Sequence, residues 1–234
     1  MRIDILTLFP EMFAAVLGGS ILKRAAQAGV VEYHLHQLRD YSRDPHRKVD
    51  DRPFGGGPGM VLMCQPLFDA VNAIEQQSSL AATRVMLCPQ GRQFNQAMAA
   101  ELAAKPRLLL MAGHYEGFDE RLITLLDPLQ VSIGDYVLSG GEIPAMAVTD
   151  AVVRLLPGAL GHEHSAAGES FAANDGAIAG GLEYPQYTRP REFAGLAVPE
   201  ILLSGDHAAI EKWRTAESRR KTAARRPDLL KPQA

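Results

Sequence analysis

Residues 133–144, Ile-Gly-Asp-Tyr-Val-Leu-Ser-Gly-Gly-Glu-Ile-Pro, combine residue types that suit ligand binding. Gly134, Gly140 and Gly141 allow positive φ angles or a close approach of the backbone to a ligand. Between these glycines, residues 136–138 form a short β-prone run that offers apolar surface and backbone polar groups together. Such a loop suits a flat ligand with polar edges, for example an adenine ring. The alternative interpretation is a plain turn between a strand and a helix.

Two earlier loops resemble this one in composition. Residues 89–91, Pro-Gln-Gly, follow the apolar run 84–88, and residues 113–117, Gly-His-Tyr-Glu-Gly, follow the run 107–112. Because ligands of open α/β sheets bind beyond the carboxyl ends of the strands, the three loops are predicted to meet at one pocket. None of them has the G-x-G-x-x-G spacing, which argues against a standard dinucleotide site.

The segment 39–60 is a further candidate for binding. It interleaves five basic residues with four acidic ones and ends in Phe-Gly-Gly-Gly-Pro-Gly-Met at residues 54–60. The prolines and glycines predict a long loop without regular structure, of the kind that often carries function. It lacks the Lys-Ser/Thr pair of a phosphate-binding loop, which argues against nucleoside-triphosphate hydrolysis. We therefore expect contact with a polyanion, with an ordinary solvated loop as the alternative.

The overall composition bounds these hypotheses. The chain has 234 residues, 47% hydrophobic and 22% charged, with a net charge of −3, so any nucleic-acid surface must be local. Residues 206–234 carry eight Lys and Arg against four Asp and Glu, a balance of +4, which is typical of a nucleic-acid-binding arm. A solvated helix face is the alternative. The two cysteines lie in apolar segments, and no apolar run reaches the ~18 residues of a membrane span, so a cytoplasmic protein is expected.

The pattern of elements predicts an α/β protein with two domains. A strand at 3–9, a helix from Pro10 to Gly29 and a strand at 30–38 give an α/β beginning. An apolar helix over 142–156 ends at Pro157, and a small, polar, glycine-rich segment follows. We predict domains at 1–160 and 182–234 with a linker at 161–181. His162-Glu163-His164 lacks the H-E-x-x-H spacing, so no metal site is expected.

Several segments together resemble the bacterial tRNA (guanine-N1-)methyltransferases, the TrmD family of the SPOUT class. They occur in the family's order, cover nearly the whole chain and are specific in their glycine-rich blocks. The segments are residues 8–13, 49–60, 89–91, 115–117, 132–142, 187–190 and 202–205.

The resemblance implies a SPOUT-type parallel sheet with a C-terminal trefoil knot, followed by a small helical domain that binds tRNA. It implies a homodimer with active sites shared between subunits, methylation of guanosine 37 of tRNA, and S-adenosylmethionine as the donor, with Mg²⁺ as a further candidate cofactor. The cofactor-binding residues that it implies are Leu87, Pro89, Gly113, Tyr115, Glu116, Ile133, Gly134, Asp135, Tyr136, Val137, Leu138, Gly140, Gly141 and Pro144.

The resemblance also implies two catalytic residues. Guanine N1 carries a proton, so a carboxylate must remove it, and an arginine can stabilise the charge that develops on O6. Arg154 matches the family's arginine, although a cation at a helix C-terminus is an alternative explanation for it. Glu169 stands where the family has an aspartate, with Asp175 as a less favoured substitute. The departure leaves open a SPOUT enzyme acting on another RNA atom, or a catalytically silent RNA-binding protein.

Overall fold

The apolar runs form the strands of one parallel sheet in the computed structural model. Five strands pair in the order β2-β1-β6-β5-β7, and every pairing between them is parallel. The strands of the protein are β1 (Arg2–Thr7), β2 (Glu32–Gln37), β3 (Asp50–Asp51), β4 (Val61–Leu62), β5 (Thr83–Gln93), β6 (Arg107–Ala112), β7 (Leu129–Ser132), β8 (Glu192–Phe193) and β9 (Leu196–Ala197). The predicted α/β class with a parallel sheet is confirmed.

Helices cover both faces of this sheet. They are α1 (Ala14–Leu17), α2 (Ser20–Gln27), α3 (Cys64–Glu75), α4 (Gln96–Ala103), α5 (Arg121–Leu126) and α6 (Glu142–Val153). A further helix, α7 (His207–Arg225), belongs to a separate compact unit, His162–Ala234. In β6, Leu108 and Leu110 pack into a core with α2, α4 and α6, whereas Leu109 and Met111 pack into a second core with α3 and α5. Strand β6 is therefore apolar throughout, because both of its faces are buried.

The structure describes residues 1–160, 169–172 and 179–230. The chain divides into two compact units, Met1–Gly161 and His162–Ala234. In the first unit lie the sheet and α1–α6, and in the second lie the β8–β9 pair, α7 and two short 3₁₀ helices, Glu200–Leu203 and Pro227–Leu230. Among the helices of these described ranges, none is long and apolar enough to cross a bilayer.

The helix predicted from Pro10 to Gly29 is interrupted, and that prediction was wrong. A 3₁₀ turn, Pro10–Phe13, leads into α1, and the chain then breaks at Gly18 before α2 begins. A Cβ atom on Gly18 would lie 2.7 Å from the carbonyl oxygen of Ala14, and Ser20 has a φ of 44°. Two successive glycines let the backbone turn sharply here because they add no side chain to the crowded bend.

The glycine-rich segment 53–59 is held at both of its ends. Strand β3 before it pairs antiparallel with β4 after it, through Asp50 with Leu62 and Asp51 with Val61. A 3₁₀ helix, Leu38–Tyr41, opens the longer segment. The side chain of Phe54 near the tip is 99% exposed. The predicted loop is thus the tip of a short two-stranded pair.

A buried ion pair joins β1 to β6 near the first residues of both strands. Asp4 and Arg107 are both fully buried, and Nε of Arg107 donates to Asp4 Oδ2 at 2.8 Å. Arg2 and His36 also contact the Asp4 carboxylate, at 2.8 and 2.9 Å. Arg107 further donates to the carbonyl oxygen of Ile74 at 2.6 Å, so α3 is tied to the same cluster.

The pKa of Asp4 is held well below its usual range. Burial alone would raise that pKa, but the hydrogen bonds from His36, Arg2 and Arg107 outweigh burial and lower it. Because the folded protein keeps Asp4 ionised while the unfolded chain binds a proton below pH 3.8, this group stabilises the fold above that pH. The stabilisation is lost progressively as the pH falls toward the folded-state pKa.

We predict that Asp4→Asn lowers the free energy of unfolding by about 3 kcal/mol at neutral pH, because Arg107 is left buried without its counter-charge. The loss should shrink below about pH 4, because protonation of Asp4 in the unfolded chain removes part of its stabilisation of the wild type, whereas the variant has no carboxyl group to protonate. Denaturant titrations at a series of pH values measure this. Glu101→Gln, on the surface of α4, is the control with little effect, and a loss for Asp4→Asn that is independent of pH would contradict the prediction.

Candidate active site

The three glycine loops line one cavity, which lies beyond the carboxyl ends of β6 and β7 and beside the middle of β5. Its volume is about 360 Å³, within the usual range for small-molecule sites. Thirteen of the fourteen predicted cofactor-binding residues line it, and Asp135 does not. They are Leu87, Pro89, Gly113, Tyr115, Glu116, Ile133, Gly134, Tyr136, Val137, Leu138, Gly140, Gly141 and Pro144.

The first wall comes from a change of register inside β5. This strand pairs with β7 up to Leu87 and again from Arg92, and the residues between them loop out at the cavity. A Cβ atom on Gly91 would lie 2.3 Å from the backbone nitrogen of Val131. Only glycine allows the two backbones to come this close, and the loop after Leu87 is thereby held against β7.

The second wall is residues 113–117, which are joined to the third loop through their backbone. The N–H of Gly141 donates to the carbonyl oxygen of Gly113 at 2.6 Å, and His114 forms an isolated antiparallel bridge with Gly140. A Cβ atom on Gly141 would lie 2.6 Å from the nitrogen of Gly113. Gly141 has an ordinary φ of −82°, so glycine is needed here for the close crossing and not for an unusual backbone angle.

The same second wall is joined to the glycine-rich segment described above. The N–H of Glu116 donates to the carbonyl oxygen of Met60 at 2.9 Å, and the N–H of Leu62 donates to that of Gly117 at 2.9 Å. The side chain of Glu116 packs where a Cβ atom on Gly59 would stand, 2.2 Å from its Oε1. The end of the exposed loop thus lies directly behind a cavity wall.

The third wall combines a polar turn with an apolar rim. Ser132 Oγ donates to the carbonyl oxygen of Gly134 at 3.0 Å, and the N–H of Tyr136 donates to the same oxygen at 2.9 Å. Beyond this turn, Tyr136 is 55% and Val137 82% exposed. Large apolar side chains at the edge of a cavity favour a ligand, or another surface, that covers them.

The charges of the cavity have one sign. Among the described residues that line it, Glu116 and Glu120 are acidic and none is Lys or Arg. A phosphate-bearing ligand would find no cation here, whereas a positively charged ligand is attracted. Burial raises the pKa of the Cys88 thiol in the same cavity, which keeps it protonated and argues against a role as nucleophile.

Twelve residues of the cavity were missed by the sequence analysis. Several lie inside the predicted motifs, so their position could have suggested them; Phe118 and Glu120 follow a motif, and nothing in the sequence marks them. The twelve are Met86, Cys88, Gln90, His114, Gly117, Phe118, Glu120, Ile123, Gln130, Val131, Ser132 and Ser139.

The two predicted catalytic residues lie in different units. Arg154 is half-buried and caps the C-terminus of α6 in the first unit. Glu169 is half-buried in the second unit, in a turn closed by the N–H of Ala172 donating to its carbonyl oxygen at 3.2 Å. The turn is fixed by the N–H of Phe171, which donates to the carbonyl oxygen of Gly181 at 2.8 Å. Asp175, the less favoured candidate, lies outside the described residues.

The second unit combines a basic helix with aromatic side chains. Asp206 caps the N-terminus of α7, since its Oδ1 accepts from the N–H of Ala209 at 3.0 Å. The guanidinium of Arg214 lies 4.8 Å from the ring centroid of Tyr184. The ring centroids of Tyr187 and Trp213 are 6.4 Å apart. Cationic and aromatic groups on one surface are typical of single-stranded nucleic-acid binding.

Within the described part of the chain, no group of three His, Cys, Asp or Glu side chains could hold a metal ion. His162 and His164 lie outside that part.

The fold and the cavity define a class: an α/β protein in which loops at one edge of the parallel sheet form a cavity suited to a small, uncharged or cationic ligand. Comparison with known proteins identifies the family. The sequence profile described as "tRNA (Guanine-1)-methyltransferase TrmD" matches residues 1–232. The chain therefore belongs to this family of methyltransferases, and the predicted resemblance is confirmed.

Individual relatives agree with the profile. A tRNA (guanine-N(1)-)-methyltransferase of Shouchella clausii is 53% identical over 231 residues, covering 99% of this chain and 92% of the relative. The Bacillus subtilis protein of that name is 52% identical, with 99% and 93% covered. The Moorella thermoacetica one is 54% identical, with 98% and 90% covered.

We predict that Gly141→Ala lowers the free energy of unfolding by about 3 kcal/mol, because the new methyl group meets backbone atoms that cannot move aside. Denaturant titration measures the loss. Gly29→Asn is the control, since Gly29 has a φ of 72° and open space around it, which asparagine tolerates at a cost under about 1 kcal/mol. If both variants lost the same free energy of unfolding, the backbone crossing at Gly141 would not be the cause of the loss.

Proposed function

We propose that this protein transfers the methyl group of S-adenosylmethionine to N1 of the guanosine at tRNA position 37, in the cytoplasm. Family membership supports the tRNA methyltransferase activity. The observation that carries the choice of donor is the charge of the cavity, which has Glu116 and Glu120 but no Lys or Arg among its described lining residues. A donor with a sulfonium and an ammonium group suits such a site, whereas a phosphorylated cofactor does not.

The shape of the cavity also supports this donor. Apolar side chains of Leu87, Leu138 and Pro144 line it beside the backbone of three loops. An adenine ring needs apolar contact on its faces and backbone donors and acceptors at its edge, and these loops supply both. We assign Asp135, just outside the lining, a supporting role in the third loop.

We propose further that the three loops belong to a trefoil knot. Two close backbone approaches support it, that of Gly91 to Val131 and that of Gly141 to Gly113. At each of them a Cβ atom on the first glycine would overlap the backbone of the second residue. We also propose a homodimer that shares its active sites between subunits. The exposed apolar side chains of Met12 and Ile143, 43% and 54% exposed, support a partner surface on the first unit.

In the proposed reaction, Glu169 takes the proton from N1 of guanine, and the freed electron pair on N1 forms the bond to the methyl carbon. Arg154 stabilises the negative charge that moves onto O6 as the proton leaves. When bound, S-adenosylmethionine would supply an electrophilic methyl group, and its sulfur would keep the electron pair of the broken carbon–sulfur bond as a neutral thioether. The residues that line the cavity would position the donor for this transfer.

Glu169 is one methylene longer than the aspartate of the family pattern. A misplacement of about 1 Å can cost on the order of 10²-fold in rate, so its backbone must compensate. The turn that carries Glu169 is held to a neighbouring segment, since the N–H of Gly180 donates to the carbonyl oxygen of Ala172 at 2.8 Å. The N–H of Glu183 also donates to Ser170 Oγ, at 3.0 Å. A fixed turn supports a defined position for the longer side chain.

The departure at Glu169 also favours a second candidate, a SPOUT enzyme that methylates another RNA atom. Unmodified tRNA incubated with labelled S-adenosylmethionine separates the two, once the methylated nucleoside is identified. N1-methylguanosine supports the first proposal, and a ribose 2′-O-methyl product supports the second. Absence of transfer by the wild type would overturn both and leave an RNA-binding protein.

We predict that Glu169→Gln lowers kcat by about 10²- to 10⁴-fold, because the amide cannot accept the N1 proton. The affinity for S-adenosylhomocysteine should not change, since the first unit forms the donor cavity and Glu169 belongs to the second. Single-turnover kinetics and calorimetry measure the two quantities. Glu192→Gln, an exposed carboxylate of β8, is the matched control. Full methylation by Glu169→Gln would exclude Glu169 as the base.

The second unit is proposed to bind tRNA through α7. Lys212 and Arg219 on this helix are exposed, and phosphate contacts by such residues release counterions. We predict that Lys212→Ala with Arg219→Ala weakens tRNA binding about tenfold at low salt and reduces the salt slope of log K by about 1.5. Lys23→Ala with Lys105→Ala in the first unit is the control, and an equal effect there would contradict the assignment.

A further inference from the structure

Glu142 is a buried carboxylate for which the proposed reaction has no use. It lies within the stretch 133–144 as the first residue of α6, and only 2% of it is exposed. In the described part of the chain, Asp4 is the other buried acid, and that residue is paired with arginines. No arginine or lysine is paired with Glu142 among the described residues. Its position behind the cavity therefore needs another explanation.

One oxygen of this carboxylate is held by the end of β1. Thr7 Oγ1 accepts a hydrogen bond from the N–H of Phe9 at 3.0 Å, so the hydroxyl proton is left to donate. It donates to Glu142 Oε1 at 2.8 Å, and Thr7 is fully buried. The carboxylate is thus fixed on one side by a residue of the central sheet.

The other oxygen faces a residue that lines the donor cavity. Oε2 of Glu142 lies 3.6 Å from His114 Nδ1, a buried nitrogen that has no hydrogen-bond partner among the described residues. The imidazole is packed between the rings of Phe9 and Tyr115, each with its centroid 5.1 Å away. Because a carboxylate can only accept, the arrangement favours the tautomer with its proton on Nδ1.

Gly140 leaves the space in which these two groups meet. A Cβ atom on Gly140 would lie 2.3 Å from Glu142 Oε2 and 2.4 Å from His114 Nδ1. The same glycine forms the backbone bridge with His114. The close meeting of carboxylate and imidazole is therefore built into the crossing of the second and third loops.

We propose that Glu142 is a positioning residue of the donor site, which keeps the proton of His114 on Nδ1 and leaves Nε2 as a hydrogen-bond acceptor. A carboxylate that orients an imidazole through one nitrogen sets the role of the other. A hydrogen-bond acceptor in the cavity wall suits S-adenosylmethionine, because this methyl donor carries an ammonium group that can donate a hydrogen bond. The inference rests on the proposed function, because it assigns this role at the S-adenosylmethionine cavity.

Glu142→Gln tests the role with little change of size. Thr7 still donates to the amide oxygen, so the amide nitrogen now faces His114 Nδ1 and requires an acceptor there. The proton of His114 should move to Nε2, which nitrogen-15 chemical shifts of the imidazole report in the full chain. This measurement does not depend on any ligand. An unchanged Nδ1–H tautomer in the variant would overturn the proposal.

The functional consequence is measured with S-adenosylhomocysteine by calorimetry. Glu142→Gln should weaken binding about tenfold, the effect of losing one hydrogen bond to a charged group. In turnover, KM for the donor should rise while kcat and KM for tRNA change less than threefold. Glu75→Gln is the control. It removes a carboxylate at the end of α3 that is paired with Arg84 of β5, and it should leave the affinity for S-adenosylhomocysteine unchanged. Binding by Glu142→Gln within twofold of wild type would overturn the proposal.

Variants of His114 separate positioning from simple stability. His114→Asn keeps a donor that can face Glu142 and should retain partial affinity, whereas His114→Ala should lose it. Adding Glu142→Gln to His114→Ala should cost nothing more, because Glu142 acts through the imidazole. Additive losses of donor affinity would show that Glu142 stabilises the fold and does not act through His114, which would overturn the proposal. A wild type that binds no donor but has the Nδ1–H tautomer would overturn the proposed function and leave the His114 assignment standing.

Discussion

The structure depends on one constraint, the crossing of two backbones at Gly113 and Gly141. The N–H of Gly141 reaches the carbonyl oxygen of Gly113 at 2.6 Å, which no larger residue would permit. The crossing fixes where α6 begins and therefore where Glu142 enters the interior. It also closes the second wall of the cavity against the third. The absence of side chains at Gly113 and Gly141 thus determines where the carboxylate of Glu142 lies.

Polar side chains at the two ends of the parallel sheet have different kinds of partner. Near the amino ends of β1 and β6, Asp4 and Arg107 neutralise one another, and each side-chain nitrogen of Arg107 donates to a carboxylate or carbonyl oxygen. At the carboxyl ends, Thr7 of β1 and His114 of the second wall both face the carboxylate of Glu142. Polar groups therefore join strands and a helix at one end of the sheet, and support the walls of the cavity at the other.

The sequence predicts well where a pattern is local. Strand β6 is apolar at every position from Leu108 to Ala112, and such a run is typical of a buried parallel strand. The break at Gly18 was missed because the apolar stripe continues across it. The continuation of β5 beyond Cys88 was missed because proline and glycine in that stretch are typical of loops, and the resumed pairing depends on β7. The contact between His114 and Glu142 joins distant parts of the chain, so no local pattern predicts it.

The sign of the cavity's charge has a consequence for the design of inhibitors. Glu116 and Glu120 stand in a site without Lys or Arg among its described lining residues. Compounds with a basic amine gain a counter-charge on entry, whereas nucleotide-like compounds lose the hydration of their phosphates without compensation. The charge of the cavity therefore favours compounds that carry a protonated amine over compounds that carry phosphate groups.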